Sequence, residues 1–154
     1  MKVGNKYTFW SFHPHFSTIL SPFGVLTHIE NVVCLNRSYN IHNMNLHSSP
    51  FDKINSGEKT IELRLNDEKR QLIKIGDKIV FTNTSTQEKL VATVIKLHKF
   101  DTFNELYESL PLLKCGYTNS DVDTAKPSDM EIYYPIEKQS KYGVLGIEIE
   151  CERK

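Results

Sequence analysis

After Gly57 the apolar residues fall at every second position, Ile61, Leu63 and Leu65, with Thr60, Glu62 and Arg64 between them. A period of two is that of an extended strand, whose alternate side chains point to opposite faces. One face of this strand must be covered by a second layer, and the other carries a carboxylate beside a guanidinium. Gly57, which takes positive φ without strain, closes the turn before it. Lys59, Glu62 and Arg64 are therefore candidate walls of a polar pocket. The same pattern also fits a solvated face with a weak surface ion pair.

The neighbouring segments supply partners for that strand. His42, Met44 and Leu46 alternate with Asn43 and Asn45 as a short strand. Ser49 as N-cap and Pro50 at the first helical position then predict a short helix, with Phe51 and Ile54 on one face and Gly57 at its end. Glu68-Lys69-Arg70 reads as an exposed loop, and Gly76-Asp77 as a tight turn between two apolar runs. Ile79 and Phe81 mark a further strand. Lys89 to Leu97 is apolar almost throughout, which predicts a strand buried on both faces. Three consecutive strands joined by short turns predict an antiparallel meander. Thr102-Phe103-Asn104-Glu105 is a capping box before the stripe Phe103, Leu106, Tyr107, Leu110, and Ser128 to Glu131 is a second box whose helix Pro135 ends early. Gly116 to Lys126 is polar and loop-like. Val144, Leu145, Ile147 and Ile149 predict a last strand. The sum is an α+β fold, a small barrel whose closure removes vulnerable strand edges.

Composition narrows the function. In 154 residues, nineteen basic and nineteen acidic side chains cancel, so no global field draws the chain to nucleic acid or membrane. Any nucleic-acid binding must come from a local groove. Cys34, Cys115 and Cys151 form no CxxC pair, which argues against a disulfide framework or a cysteine zinc site and fits a cytoplasmic protein. No apolar run approaches transmembrane length. Residues 1–40 differ from the rest: aromatic and histidine-rich, broken by Pro14, Pro22 and Gly24, without sustained periodicity. They read as an extension of the 41–154 domain, or as sequence upstream of a natural start at Met44. His13 and His15 have no further ligand at a recognisable spacing, so neither a metal nor a cofactor is called for.

Gly57-x-Lys59-x-x-Glu62-x-Arg64, Ile75-Gly76-Asp77-x-Ile79-x-Phe81 and Tyr142-Gly143-Val144-Leu145, in this order and spacing, resemble the ASCH domain of the PUA-like superfamily. The likeness covers about residues 42 to 150. It implies a PUA-like β-barrel of five to six mostly antiparallel strands with two or three short helices, and a cleft lined by the motif's lysine, glutamate and arginine. It also implies RNA binding or RNA metabolism, with one branch resembling N4-acetylcytidine amidohydrolases and another including ribonucleases. Lys59 matches the catalytic lysine of the amidohydrolase branch. The place of that branch's threonine nucleophile holds Glu62, and its catalytic glutamate falls in the region of Glu105 and Glu108.

A lysine acts as a base only where burial or neighbouring positive charge lowers its pKa. Beside Glu62, Lys59 reads instead as a charged donor for a phosphate or a base carbonyl. Glu62 suits an exocyclic amine, and Arg64 offers a planar fork to phosphate or a base edge. This set is one for recognition, with RNA, a nucleoside or a nucleotide as partner and no DNA preference expected. Hydrolysis by Lys59 and Glu62 is the alternative, with Glu62 activating a water. Tyr142 is a candidate for stacking on a base, though such a tyrosine also commonly packs in a core. Tyr133-Tyr134 reads as packing, and His98 as structural.

Overall fold

The computed structural model describes residues 38–152. The expected extension, with its His13 and His15, lies outside the described residues as far as residue 37. The elements are β1 (Ile41–Leu46), α1 (Ser48–Ser56), β2 (Ile61–Leu65), β3 (Lys78–Asn83), β4 (Lys89–Phe100), α2 (Phe103–Ser109), α3 (Ile136–Tyr142) and β5 (Val144–Cys151). Short 3-10 turns lie at Arg70–Leu72, Leu112–Cys115, Val122–Thr124 and Pro127–Ile132. The five strands form one curled sheet in the order β1-β3-β4-β5-β2. Every neighbouring pair is antiparallel except β1 with β3, which run parallel with Met44 opposite Phe81.

Two apolar clusters hold this sheet. Phe51 and Ile54, three apart on α1, pack with Met44, Phe81, Val94 and Ile147. On the other side of β2, Ile61, Leu63 and Leu65 meet Phe103, Leu106, Tyr107 and Leu110 of and after α2. The alternation of β2 thus divides its side chains as its sequence predicts, the odd positions going to the α2 layer. α2 begins as expected. The Thr102 hydroxyl accepts from the Glu105 N–H at 3.3 Å, and Glu105 Oε2 accepts from the Asp101 N–H at 3.2 Å.

Several expectations are corrected. The meander consists of β3, β4 and β5, because β2 pairs with β5 instead of with β3. The expected α+β class stands, a curled five-stranded sheet with three short helices, and the curl is that of a half-barrel, since no ladder joins its edges β1 and β2. β4 is not buried on both faces. A bulge between Val94 and Lys96 makes Ile95 an extra residue and leaves it 44% exposed. α1 starts two residues before the expected position, with His47 at the N-cap, and Ser49 does not cap. Pro50 still fits, since an N–H in the first turn has no partner within the helix. The second capping box is displaced too: Asp129 Oδ2 accepts from the Lys126 N–H at 3.0 Å, and the turn it starts is 3-10. Pro135, beyond following that turn, precedes α3. The sequence gives little sign of α3, because of its side chains only Gln139 is buried.

Gly76-Asp77 is a turn, as expected, but it joins a 3-10 segment to β3 and closes no hairpin. Asp77 ties this corner together. Its Oδ1 accepts from the Asn40 N–H at 2.9 Å, and its Oδ2 accepts from the Lys74 N–H at 2.9 Å and lies 2.9 Å from His42 Nε2. Burial acts to raise the Asp77 pKa, but the bonds from Asn40, His42 and Lys74 outweigh it and hold it at about 2. A carboxylate with a depressed folded-state pKa stabilises above its ordinary range, and that contribution is lost as pH falls through the folded value. The stability of the wild type should therefore drop between about pH 4 and pH 2, and Asp77→Asn should flatten that drop while lowering stability at neutral pH. Urea midpoints measured across this range decide it. Parallel curves for the two proteins would contradict the assignment.

Candidate functional site

Lys59, Glu62 and Arg64 come together as a buried charge triad. α1 stops at Gly57, whose φ of 85° is the left-handed conformation that closes a helix, and its N–H donates to Ile54 O at 3.1 Å. The Lys59 N–H donates to Lys53 O and the Thr60 N–H to Lys114 O, each at 2.9 Å, which fixes where Lys59 leaves the backbone. Glu62 then points inward from β2, its side chain only 5% exposed. Lys59 Nζ lies 3.0 Å from its Oε2, and Arg64 Nε lies 2.9 Å from its Oε1. A weakly paired solvated face is excluded by this burial.

Arg64 also spans the open edge of the sheet. Its Nη2 donates to the Asn45 carbonyl of β1 at 3.0 Å. A side chain thus bridges the two strands that no ladder joins. Burial would lower the Arg64 pKa, but the facing Glu62 carboxylate and the Tyr134 hydroxyl reverse this and raise it. Cys115 is buried beside the triad, and burial pushes its thiol up to about 11, with Lys59 opposing and Glu62 adding to the shift. A neutral thiol is a poor nucleophile.

The triad faces a cavity of about 680 Å³. Its walls also include the first turn of α1 and residues of the segment between Cys115 and Tyr134. Gly116, with φ of 102°, lies against the stem of Lys59, and a Cβ there would come within 3.0 Å of Lys59 Cδ. Tyr117, Met130, Tyr133 and Tyr134 supply apolar and aromatic wall. Tyr134 stacks on Phe103 with centroids 5.8 Å apart, whereas Tyr133 is 66% exposed at the mouth. Although the ion-pair distances are short, the angles leave Glu62 Oε2 and Arg64 Nε without a hydrogen bond. Thr60 Oγ1 and Asn66 Oδ1, at the flanking even positions, are buried and unbonded as well. Buried polar atoms are normally satisfied; of these four residues Glu62 and Arg64 line the cavity, where a polar ligand or water can complete the bonding, and Thr60 and Asn66 do not.

Other residues singled out in the sequence fall elsewhere. Tyr142 is not among the residues lining the cavity. It ends α3, with Lys141 Nζ 4.6 Å from its ring centroid. Glu105 and Glu108 are exposed on α2 and do not line the cavity either. His98 Nε2 lies 3.0 Å from Glu148 Oε2, a pair between β4 and β5. Among the described residues no three histidines, cysteines or carboxylates gather as a metal site. The walls at His47, Ser49 and Gly116 to Tyr134 were missing from the sequence reading. Their one local signal is the three tyrosines, Tyr117, Tyr133 and Tyr134, in a segment that is otherwise polar.

Removing one partner of a buried ion set leaves the others uncompensated, a loss on the order of 3 kcal/mol. Glu62→Ala, which leaves two cations facing each other, should lower stability by about that much in urea unfolding. A change of less than about 0.5 kcal/mol, the size expected of a surface substitution, would show that the triad is not buried in solution.

Comparison with known proteins agrees with this architecture. No curated protein matches the chain. Among solved structures, a hypothetical protein is 31% identical with a TM-score of 0.59, covering 73% of this chain and 99% of that one. A protein from Pyrococcus furiosus is 31% identical with a TM-score of 0.56, covering 74% and 99%. The ASCH protein of Zymomonas mobilis is 13% identical with a TM-score of 0.51, covering 72% and 67%, a likeness of fold alone. The ASCH domain profile matches residues 44–153, which takes in the triad, the cleft walls and all five strands except the start of β1. The chain belongs to the ASCH domain family.

Proposed function

We propose that this protein binds RNA or a nucleotide in the cleft floored by Lys59, Glu62 and Arg64. The observation that carries this reading is the buried triad with unbonded polar atoms facing a cavity of nucleotide size. A carboxylate has more acceptor sites than its ion pairs with Lys59 and Arg64 use, so Glu62 can still accept from an exocyclic amine or ring N–H, and the remaining N–H groups of Arg64 can meet a base edge or phosphate. Tyrosines on the walls offer the flat surfaces on which bases stack. The membership in the ASCH family supports the same partner class. Among the described residues no helix is long and apolar enough to cross a membrane. Tyr142, which does not line the cleft, would touch only a ligand long enough to extend beyond it.

A hydrolytic reading rests on one feature, the unbonded Glu62 Oε2 beside Lys59 Nζ. There Glu62 would take a proton from water and Lys59 would hold the developing oxyanion of an amide such as that of N4-acetylcytidine. Cys115 offers no alternative nucleophile. Recognition remains the better fit, because both cations already engage Glu62, which itself stands at the place of the amidohydrolase branch's threonine nucleophile.

Calorimetric titration with short RNA and with nucleotides is the test. Binding should weaken as salt rises and should fall roughly tenfold or more in Arg64→Ala, the size of a charge-assisted hydrogen bond. Absence of binding at low salt would sink the reading. Release of acetate from N4-acetylcytidine, lost in Lys59→Ala, would move the assignment to hydrolysis.

A further inference from the structure

Lys59 and Arg64 flank the Glu62 carboxylate on different oxygens, Lys59 Nζ 3.0 Å from Oε2 and Arg64 Nε 2.9 Å from Oε1. All three residues line the cavity. The row therefore reads donor, acceptor, donor. Both flanks are held in place. The stem of Lys59 lies against Gly116, Arg64 is tied to the Asn45 carbonyl at 3.0 Å, and the two side chains are only 11% and 17% exposed. An ammonium carries three N–H groups and a guanidinium five. Donors thus remain on both flanks after Glu62, the Asn45 carbonyl and the Tyr134 hydroxyl have taken theirs. The carboxylate likewise keeps acceptor sites beyond its two ion pairs.

We infer that the cleft selects a flat heterocycle with a cyclic imide edge (carbonyl, ring N–H, carbonyl), which among the four RNA bases is uracil. This rests on the nucleotide-binding reading of the cleft and names the base that the site takes. The ring N–H donates to Glu62, and the two carbonyl oxygens accept from Lys59 and Arg64. Each other base breaks the match at a buried charge. Cytosine and adenine set an unprotonated ring nitrogen against the carboxylate, acceptor facing acceptor. Guanine keeps the ring N–H but carries an amine in place of one carbonyl, so donor hydrogens meet a cation. A mismatch of this kind leaves a buried charged group unpaired, which costs more than the missing bond itself contributes. The wall tyrosines accept the face of any base, so stacking adds affinity without choosing. The choice falls to the edge.

The test is calorimetry of the full chain with uridine, 5-methyluridine, 3-methyluridine, cytidine, adenosine and guanosine, and with trinucleotides of each of the four bases. Uridine and 5-methyluridine share the imide edge and should bind alike. Both should bind about tenfold or more tightly than cytidine, adenosine or guanosine, the factor set by one charged hydrogen bond, and the U trinucleotide should lead its series by the same factor. 3-Methyluridine keeps both carbonyls and loses only the N–H, and it should bind about tenfold or more weakly than uridine. In Glu62→Gln the carboxamide can donate to the ring nitrogen of cytosine, so the preference for uridine over cytidine should fall about tenfold or more. Cytidine or 3-methyluridine bound as tightly as uridine would overturn the imide assignment and leave the cleft reading intact. So would guanosine bound more tightly than uridine, which would give Glu62 to the adjacent N–H groups of guanine instead. An unchanged preference in folded Glu62→Gln would also overturn it, and the wild-type series decides alone if that variant does not fold. If no nucleoside or trinucleotide binds, both readings fall together.

Discussion

Burial of the Glu62 carboxylate between Lys59 and Arg64 is the constraint on which the rest of the structure depends. A lone carboxylate taken out of water carries a penalty of several kcal/mol. Two cations must therefore accompany it, and each is held in place by a different part of the fold. Lys59 is positioned by the end of α1 and lies over Gly116. Arg64 stands two residues after Glu62 on the same strand face and reaches across to β1. The electrostatics of one side chain thus fix the relation between helix, sheet edge and the loop after α2.

Arg64 links folding to recognition. The curled sheet leaves β1 and β2 without a ladder between them, and the guanidinium supplies a bond across that opening. The same group lines the cleft beside unbonded atoms. A site built on strands and a helix start, instead of on free loops, keeps its donors fixed before a ligand arrives. The protein therefore places its least satisfied polar groups where its backbone is best supported.

Much of this was legible locally. The alternation of Ile61, Leu63 and Leu65 announces a two-faced strand. Thr102 caps α2 and Gly57 closes α1 as their residue types require, and the spacing puts Glu62 and Arg64 on one face of a strand with Lys59 at the turn before it. The burial of Glu62 was not legible, because it depends on contacts distant in sequence. Asn45 is nineteen residues before Arg64, and Gly116 and Tyr134 come from a segment whose polar composition gives no sign of a wall. Pairing of β2 with β5, about eighty residues apart in the chain, likewise has no local signature. α3 escaped because a helix that buries a single glutamine has no apolar stripe to read.

The central claim is that the face of β2 bearing Glu62 and Arg64 is a ligand-binding floor and more than a buried structural tie. Amide chemical shifts recorded by NMR during titration with a nucleoside monophosphate test it most directly. The account predicts that the largest shifts gather at Glu62 to Arg64, at Gly116 and at the first turn of α1. Saturable shifts confined to the exposed positions of β4, with the β2 amides unmoved, would contradict it.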